Sequence, residues 1–434
     1  MKESKEDAPI PAPLSSGFRR HDLEERRTDI RRSVAIEQDE WDALSGLPSQ
    51  RELADAMVES AVGCIPVPLG IATGFLIDGA EVAIPLAVEE PSVIAAAAFA
   101  ARLTRRDGGF ITWASEPLMT AQVFLESVSE QGLSKLRDCG PRIAAMLSRE
   151  LQSMERRGGG YRRTEVARLP ESGIVRVDIV LDVRDAMGAN RLNTAAELAR
   201  PLLEEMSGGR TVMAILSNEA RERLAGARFA IPAERLATGL PPGMSAPEAA
   251  RRIAAASTIA QEDPARAITH NKGIMNGIAS LALATMNDTR AIEAAAHAWA
   301  SRSGRYRGLS SFTALNGGLQ GSLELPLPFA TVGGSVDFHP ASRASLAILG
   351  WPDAPRLARI AAALGLAQNL AALLALVTHG IQRGHMRYHA ARLAWRAGAR
   401  GSEVRQVAEA LAEADRADMG AALRALDGLR ERGS

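Results

Sequence analysis

Cysteine is almost absent from the 434 residues: Cys64 and Cys139 are the only two, and their spacing matches no metal motif. Two thiols so placed cannot build a disulfide framework, which points to a reducing compartment and a cytoplasmic location. Net charge is absent as well, 51 basic residues balancing 51 acidic ones. No overall field therefore draws the chain to nucleic acid or to an anionic membrane. No long uncharged apolar run is present to span a bilayer. The longest candidate, Ile360 to Val377, carries Gln368 and Asn369 and reads as a buried helix. Met1 to Asp7 is of mixed charge with no apolar region behind it, unlike a signal peptide. Lysine is nearly missing too, with four among 51 basic residues and 47 arginines. Lys2 and Lys5 lie in a tail and Lys135 in a polar stretch, which leaves Lys272 as a position where a compact, deprotonatable ammonium is retained.

What is present is an uneven alternation of helical and strand patterns. Residues 1–37 read as a loosely held arm with a short helix, and 38–63 as helical. Asp78-Gly79 between two apolar stretches is a type I′ hairpin signal. The second stretch runs into Glu89-Glu90-Pro91, ahead of an Ala-rich helix from Ser92 to Leu103 with Pro91 in its first turn. Around 109–220 the pattern becomes that of a compact inserted unit. Val175, Val177, Ile179, Leu181 and Val183 alternate with mostly polar residues, and helices read at 138–157 and 194–206. Beyond 220 the chain reads as mainly helical, with a β-rich stretch from Leu309 to Val336, long helices over 354–398 and an amphipathic tail. No internal repeat is found.

Several short stretches could carry chemistry. In Thr269 to Gly277 polar side chains and two glycines sit just before the helix read from Ile274. A lysine at a helix start can polarise a carbonyl and meet the oxyanion made by hydride attack; it can equally be a solvated side chain on a capped helix. Asp288, ahead of another helix, reads as an N-cap or as an acid of the site. Glu90 reads as a first-turn acid or as a proton donor. His385 and His389 share a helical face, but Met386 stands where a zinc-protease motif has Glu, so no metal is expected. Asp185 to Asn190 follows the alternating strand, and Gly188 there would let backbone approach a ligand. Gly-x-Gly-x-x-Gly after a strand is missing, as are a Walker A motif and a nucleophile elbow, which disfavours a Rossmann fold.

Six stretches taken in order carry a resemblance. Val88 to Ser92, Asp182 to Asn190, Thr269 to Gly277, Asn287 to Ala291, Leu366 to Leu370 and Gly380 to Met386 resemble the soluble bacterial class II form of the hydroxymethylglutaryl-CoA (HMG-CoA) reductase family. The resemblance covers nearly the whole chain. It implies an α+β fold: a helix-rich large domain (38–108 and 221–374) that binds acyl-CoA, an inserted small non-Rossmann α/β-sandwich (109–220) that binds NAD(H) or NADP(H), and a C-terminal helical flap (375–434) behind the arm at 1–37. It implies that the enzyme interconverts HMG-CoA and mevalonate plus coenzyme A through mevaldehyde. Lys272 would be the oxyanion cation, buried beside two acids. Glu90 would be the proton donor to the aldehyde, Asp288 the tuning acid hydrogen-bonded to both, and His385 the flap residue that protonates the CoA thiolate. Ser92, Arg266, Asn276 and Gln368 would contact the acyl group, Arg266 clamping its carboxylate, and Arg19 would contact a CoA phosphate. Asp185, Met187, Gly188, Asn190, Asn193 and Asn218 fall in the cofactor region. A homodimer with shared sites is implied, or an assembly of such dimers, with no nucleic-acid or membrane partner. The chain departs from the family at Glu59-Ser60-Ala61-Val62-Gly63, usually Glu-Asn-Val-Ile-Gly, and at Met286, usually Gly. The place where an acid can select NAD over NADP falls near Glu150-Leu151. Two alternatives stay open: a catalytically silent CoA-binding paralogue, and a reductase of another carboxylated acyl-CoA.

Overall fold

The computed structural model describes residues 18–33, 36–238, 240–315, 317–380, 390–413 and 418–432. It comprises two compact units, residues 1–68 and 69–434.

The first unit holds helices α1 (Leu23–Ser33), α2 (Gln38–Ser45) and α3 (Pro48–Met57). α1 is the short helix expected within the arm at 1–37. Two buried arginines fix it: Arg26 donates to the Ala61 carbonyl at 2.9 Å and pairs with Asp55, while Arg27 donates to the Val62 carbonyl and to Ser45 Oγ, each at 2.6 Å. The Arg27 guanidinium also lies over the Trp41 ring. These charged residues thus hold the 59–63 stretch, whose Ser60 has φ +59°.

The second unit begins with a hairpin, β1 (Leu69–Ile77) and β2 (Ala80–Ala87). Asp78 and Gly79 both have positive φ, +53° and +80°, as a type I′ turn requires. Helix α4 (Val93–Arg105) follows, its N-cap Ser92 in the left-handed region and Pro91 one residue before the cap. Among the described residues two four-stranded sheets complete the β structure, and every strand pairing in them is antiparallel. One is ordered β3 (Ile111–Ala114), β8 (Leu224–Pro232), β10 (Gly318–Pro326), β9 (Ser310–Leu315). The other is ordered β5 (Gly160–Arg168), β6 (Val175–Asp182), β4 (Leu118–Glu126), β7 (Arg210–Leu216). Strand β3 thus joins the first of these sheets, although it falls within the 109–220 stretch read as the inserted block.

Each sheet has its own core. The inserted block packs α5 (Glu130–Arg137), α6 (Gly140–Glu155) and α7 (Ala189–Ser207) with its sheet, around residues such as Val177, Ile179, Leu147 and Leu203. The larger core takes in the hairpin, α4, the β3–β8–β10–β9 sheet, α8 (Ala246–Glu262), α9 (Pro264–Ala284) and α13 (Ala354–Val377); α10 (Thr289–Ala300), α11 (Ser335–Phe338) and α12 (Pro340–Ile348) border it. Helix α13 is long and apolar enough to cross a membrane by composition, yet 78% of its most apolar window is buried in this core, as expected for Ile360 to Val377. A third, separate cluster joins Leu393, Val407, Leu411 and Leu426 across the last helices.

Candidate active site

Lys272 Nζ donates to Glu90 Oε2 at 2.9 Å. Glu90 sits in the short link between β2 and α4, and Lys272 projects from α9. The helix begins earlier than the sequence pattern suggested. Asp263 caps it, accepting from the Ala265 amide at 3.0 Å, and Pro264 occupies its first turn. Thr269 to Gly277 is therefore helix interior, too far from the N-terminus for the helix dipole to act on the ammonium. The buried ammonium expected from the sequence is not found in the single chain: the Lys272 side chain is 62% exposed and that of Glu90 35%. The cause is the face that α9 buries. His270, Asn271, Ile274, Met275 and Ile278 turn inward, leaving Lys272 and Asn276, one turn apart, on the outer flank. An exposed ion pair contributes only about 0–1 kcal/mol to stability, so what it chiefly supplies is a directed ammonium beside a carboxylate.

The residues expected around an acyl group lie on three neighbouring elements. Arg266, partly buried, is six residues before Lys272 on α9, about 9 Å along the axis. Helices α9 and α13 approach closely at Gly277, where a Cβ would come within 3.1 Å of Leu364 Cγ and 3.5 Å of Gln368 Cβ. Gln368 is 5% exposed, and its Oε1 has no hydrogen-bond partner among the described residues. Ser92 Oγ is likewise buried and without a partner. Two orphaned polar atoms on elements flanking a Lys–Glu pair are what a pocket built to receive polar substrate atoms leaves open.

The inward face of α9 is held by polar contacts. His270 Nε2 lies 2.7 Å from Ser310 Oγ, which lies 2.8 Å from Asn369 Oδ1. Asn271 donates to the Arg307 carbonyl and accepts from the Leu309 amide. Burial first, and Arg266 second, lower the His270 pKa to about 4. The folded state therefore holds a neutral imidazole, whereas the unfolded chain takes up a proton below pH 6.5. Stability is full above that value and falls as pH drops toward 4. Unfolding in denaturant at pH 7.5 and pH 5 should expose a His270 contribution of about 2 kcal/mol, which His270→Gln removes; an unchanged pH slope in that variant would contradict the assignment.

A second site lies elsewhere in the same unit. A cleft of about 590 Å³ is lined by the Ala186 to Arg191 turn, by Met286 to Arg290 and by the Val332 to Val336 loop. Gly188 caps α7 with φ +86°, and a Cβ there would sit 2.4 Å from Val183 Cγ1, so only glycine fits. With no side chain capping α7, its first-turn amides remain open, an arrangement that favours phosphate oxygens. The dimensions and the uncapped helix start fit a nicotinamide dinucleotide. Asp185 precedes this turn, its carboxylate accepting from the Ala354 amide at 2.9 Å. Met187 packs against the large core beside the cleft, and Asn190 lines it. Asn193 instead ties α7 to the end of β7 through the Leu216 amide, and Asn218 is exposed in the loop after β7.

Asp288 lies in this cleft and not with Lys272. It is the N-cap of α10, accepting from the Arg290 and Ala291 amides at 3.1 Å each, and pairs with Arg290 Nε at 3.3 Å. Helix α9 continues twelve residues past Lys272, about 18 Å. The expected Asp288–Lys272 and Asp288–Glu90 hydrogen bonds are accordingly missing within one chain. Arg19 lies in the 3-10 turn Phe18–Arg20 of the first unit, and His385 lies outside the described residues.

Met286 has φ +50°, the conformation for which glycine is suited. Met286→Val, β-branched in a left-handed position, should cost about 1–3 kcal/mol in chemical denaturation. Met286→Gly should change stability by less than about 1 kcal/mol, relief of strain offsetting a looser unfolded chain. Equal effects would mean that backbone conformation does not dominate there. Sequence reasoning missed Asn287 and Arg223, which brace this cleft. Asn287 was visible as the neighbour of Asp288; nothing distinguished Arg223 from the other arginines.

The sequence profile of the family described as hydroxymethylglutaryl-coenzyme A reductase matches residues 22–390. The 3-hydroxy-3-methylglutaryl-coenzyme A reductase of Archaeoglobus fulgidus is 40% identical over 412 residues, covering 91% of this chain and 89% of that protein. A solved structure of the class II enzyme from Streptococcus pneumoniae, bound to NADPH in open conformations, superposes with a TM-score of 0.73 at 39% identity, covering 94% of this chain and all of that one. The chain belongs to the hydroxymethylglutaryl-coenzyme A reductase family, in its class II branch.

Proposed function

We propose that the enzyme interconverts (S)-HMG-CoA and (R)-mevalonate plus coenzyme A, consuming or producing two NAD(P)H. The observation that carries this reading is the Lys272–Glu90 pair at 2.9 Å, flanked by the orphaned oxygens of Ser92 and Gln368. A bound nicotinamide supplies or accepts the hydride. The protein's part in each step is to hold charge and move protons. Lys272 donates a hydrogen bond to the thioester carbonyl as negative charge grows on it. The hemithioacetal collapses to mevaldehyde, the C–S bond breaks, and His385 gives the departing thiolate its proton. Glu90 then protonates the aldehyde oxygen as the second hydride arrives, forming the alcohol. Arg266 clamps the free carboxylate of the acyl chain.

An ammonium 62% exposed is a weak electrostatic catalyst until water is removed from around it. A second copy of the chain supplies the cover: its cofactor cleft, carrying Asp288, docks over the Lys272–Glu90 pair, so that Asp288 of one protomer joins Lys272 of the other. The acting species is therefore a homodimer. Two free cysteines and the lack of metal spacing favour the reducing cytoplasm.

The test is nicotinamide absorbance with HMG-CoA in one direction and with mevalonate plus CoA in the other, using both cofactors. HMG-CoA binding with no absorbance change would make the chain a silent CoA-binding paralogue. Equal turnover of an acyl-CoA lacking the free carboxylate would remove the role of Arg266.

A further inference from the structure

We infer that Arg223 is a positioning residue that joins the dinucleotide loop to Asp288 through one backbone strip, Phe329 to Thr331, so that cofactor binding and the placement of Asp288 are coupled. The inference rests on reading the cleft as the dinucleotide site.

Arg223 stands where the chain returns from β7 to β8, and it is 5% exposed. It makes no ion pair among the described residues. Its guanidinium donates instead to two main-chain carbonyls, Ala186 O at 3.1 Å and Phe329 O. Burial draws its pKa down to about 10, while the charges of Asp185 and Asp182 act in the opposite direction. A buried cation satisfied only by carbonyls is costly to desolvate. A planar fork is what two separate segments need to be gripped at once, and lysine cannot offer it.

Both gripped segments lead to the cleft. Ala186 opens the turn that continues to Gly188 and Asn190. Phe329 opens a strip whose next three backbone groups are engaged. The Ala330 amide donates to Asn287 Oδ1 at 2.7 Å, Asn287 Nδ2 donates to the Ala330 carbonyl at 3.1 Å, and the Thr331 amide donates to the Asp185 carbonyl at 2.9 Å. The Asn287 amide thus pairs with Ala330 as a neighbouring strand would, and the next residue is Asp288. From Ala186 through Arg223, Phe329, Ala330 and Asn287 to Asp288, each link is a hydrogen bond or a peptide bond. A ligand that fixes the 186–190 turn fixes the other end of this chain as well.

The experiment is a binding titration with the full-length protein, following NADH and NADPH by fluorescence and HMG-CoA by calorimetry. Arg223→Lys should raise the dinucleotide Kd about tenfold and leave the HMG-CoA Kd within about twofold. Asn287→Ser, which cuts the link from the other end, should also weaken dinucleotide binding and in addition lower kcat. If Arg223→Lys does not fold, Asn287→Ser carries the test alone. A general loss of stability would reduce the amount of active protein without moving either Kd. Dinucleotide affinity unchanged in both folded variants overturns the coupling while leaving the cleft reading intact. Failure of the unaltered protein to bind either dinucleotide overturns the cleft reading and the coupling together.

Discussion

Lys272→Ala should lower kcat for HMG-CoA reduction by about a thousandfold while HMG-CoA still binds. The expectation follows from geometry. Lys272 is the cation paired with Glu90, so removing it leaves growing negative charge on the substrate oxygen with no ammonium to meet it. The fold of each chain should tolerate the change, since within one chain the pair is exposed and contributes little to stability. Lys272→Arg should rescue poorly: a planar guanidinium does not place a point charge where the ammonium stands. Near-normal kcat in the alanine variant would remove the oxyanion role altogether.

Mixing two inactive variants should restore activity. In a dimer whose sites combine Lys272 of one protomer with Asp288 of the other, a Lys272→Ala subunit and an Asp288→Ala subunit together form one intact site and one doubly defective site. Random reassortment makes half the dimers mixed, so about a quarter of the unmodified activity should return. Were both residues drawn from the same chain, no combination would be intact and the mixture would stay dead. The prediction rests on the helix between them: with α9 running about 18 Å beyond Lys272, Asp288 of the same chain is held at another cleft.

Much of this architecture was legible in the sequence where local chemistry decides it. The two left-handed residues of the Asp78-Gly79 turn, the alternating strand at 175–182 and the buried helix containing Gln368 and Asn369 all follow from short-range rules. Strand β8 was not legible. Its sequence, Leu-Ala-Gly-Ala-Arg-Phe-Ala-Ile-Pro, is poor in β-formers, and its place between β3 and β10 comes from packing against α13 and from ladders to distant partners. The start of α9 was available but outweighed: Asp263-Pro264 is a cap followed by a first-turn proline, while the glycines at 273 and 277 suggested a break. Gly277 serves the site by letting α13 approach. The separation of Lys272 from Asp288 could not be read until that helix had both its ends, because sixteen residues of sequence can be a tight cluster or a long rod. Arg223 was hidden for a different reason: burial, not identity, distinguishes it.

Helix α13 bears on how the protein is made. Its 24 residues offer no charged face to water between Arg359 and Val377, and nearly every turn is enclosed by other elements. Two of the strands that enclose it, β8 and β10, are about 120 and 30 residues earlier in synthesis, and both precede it. As the helix leaves the ribosome, its resting place is therefore already synthesised, and an apolar rod that targeting machinery could mistake for an anchor has somewhere to go at once. A circular permutant that put this helix first should depend heavily on chaperones, although its finished structure would be the same.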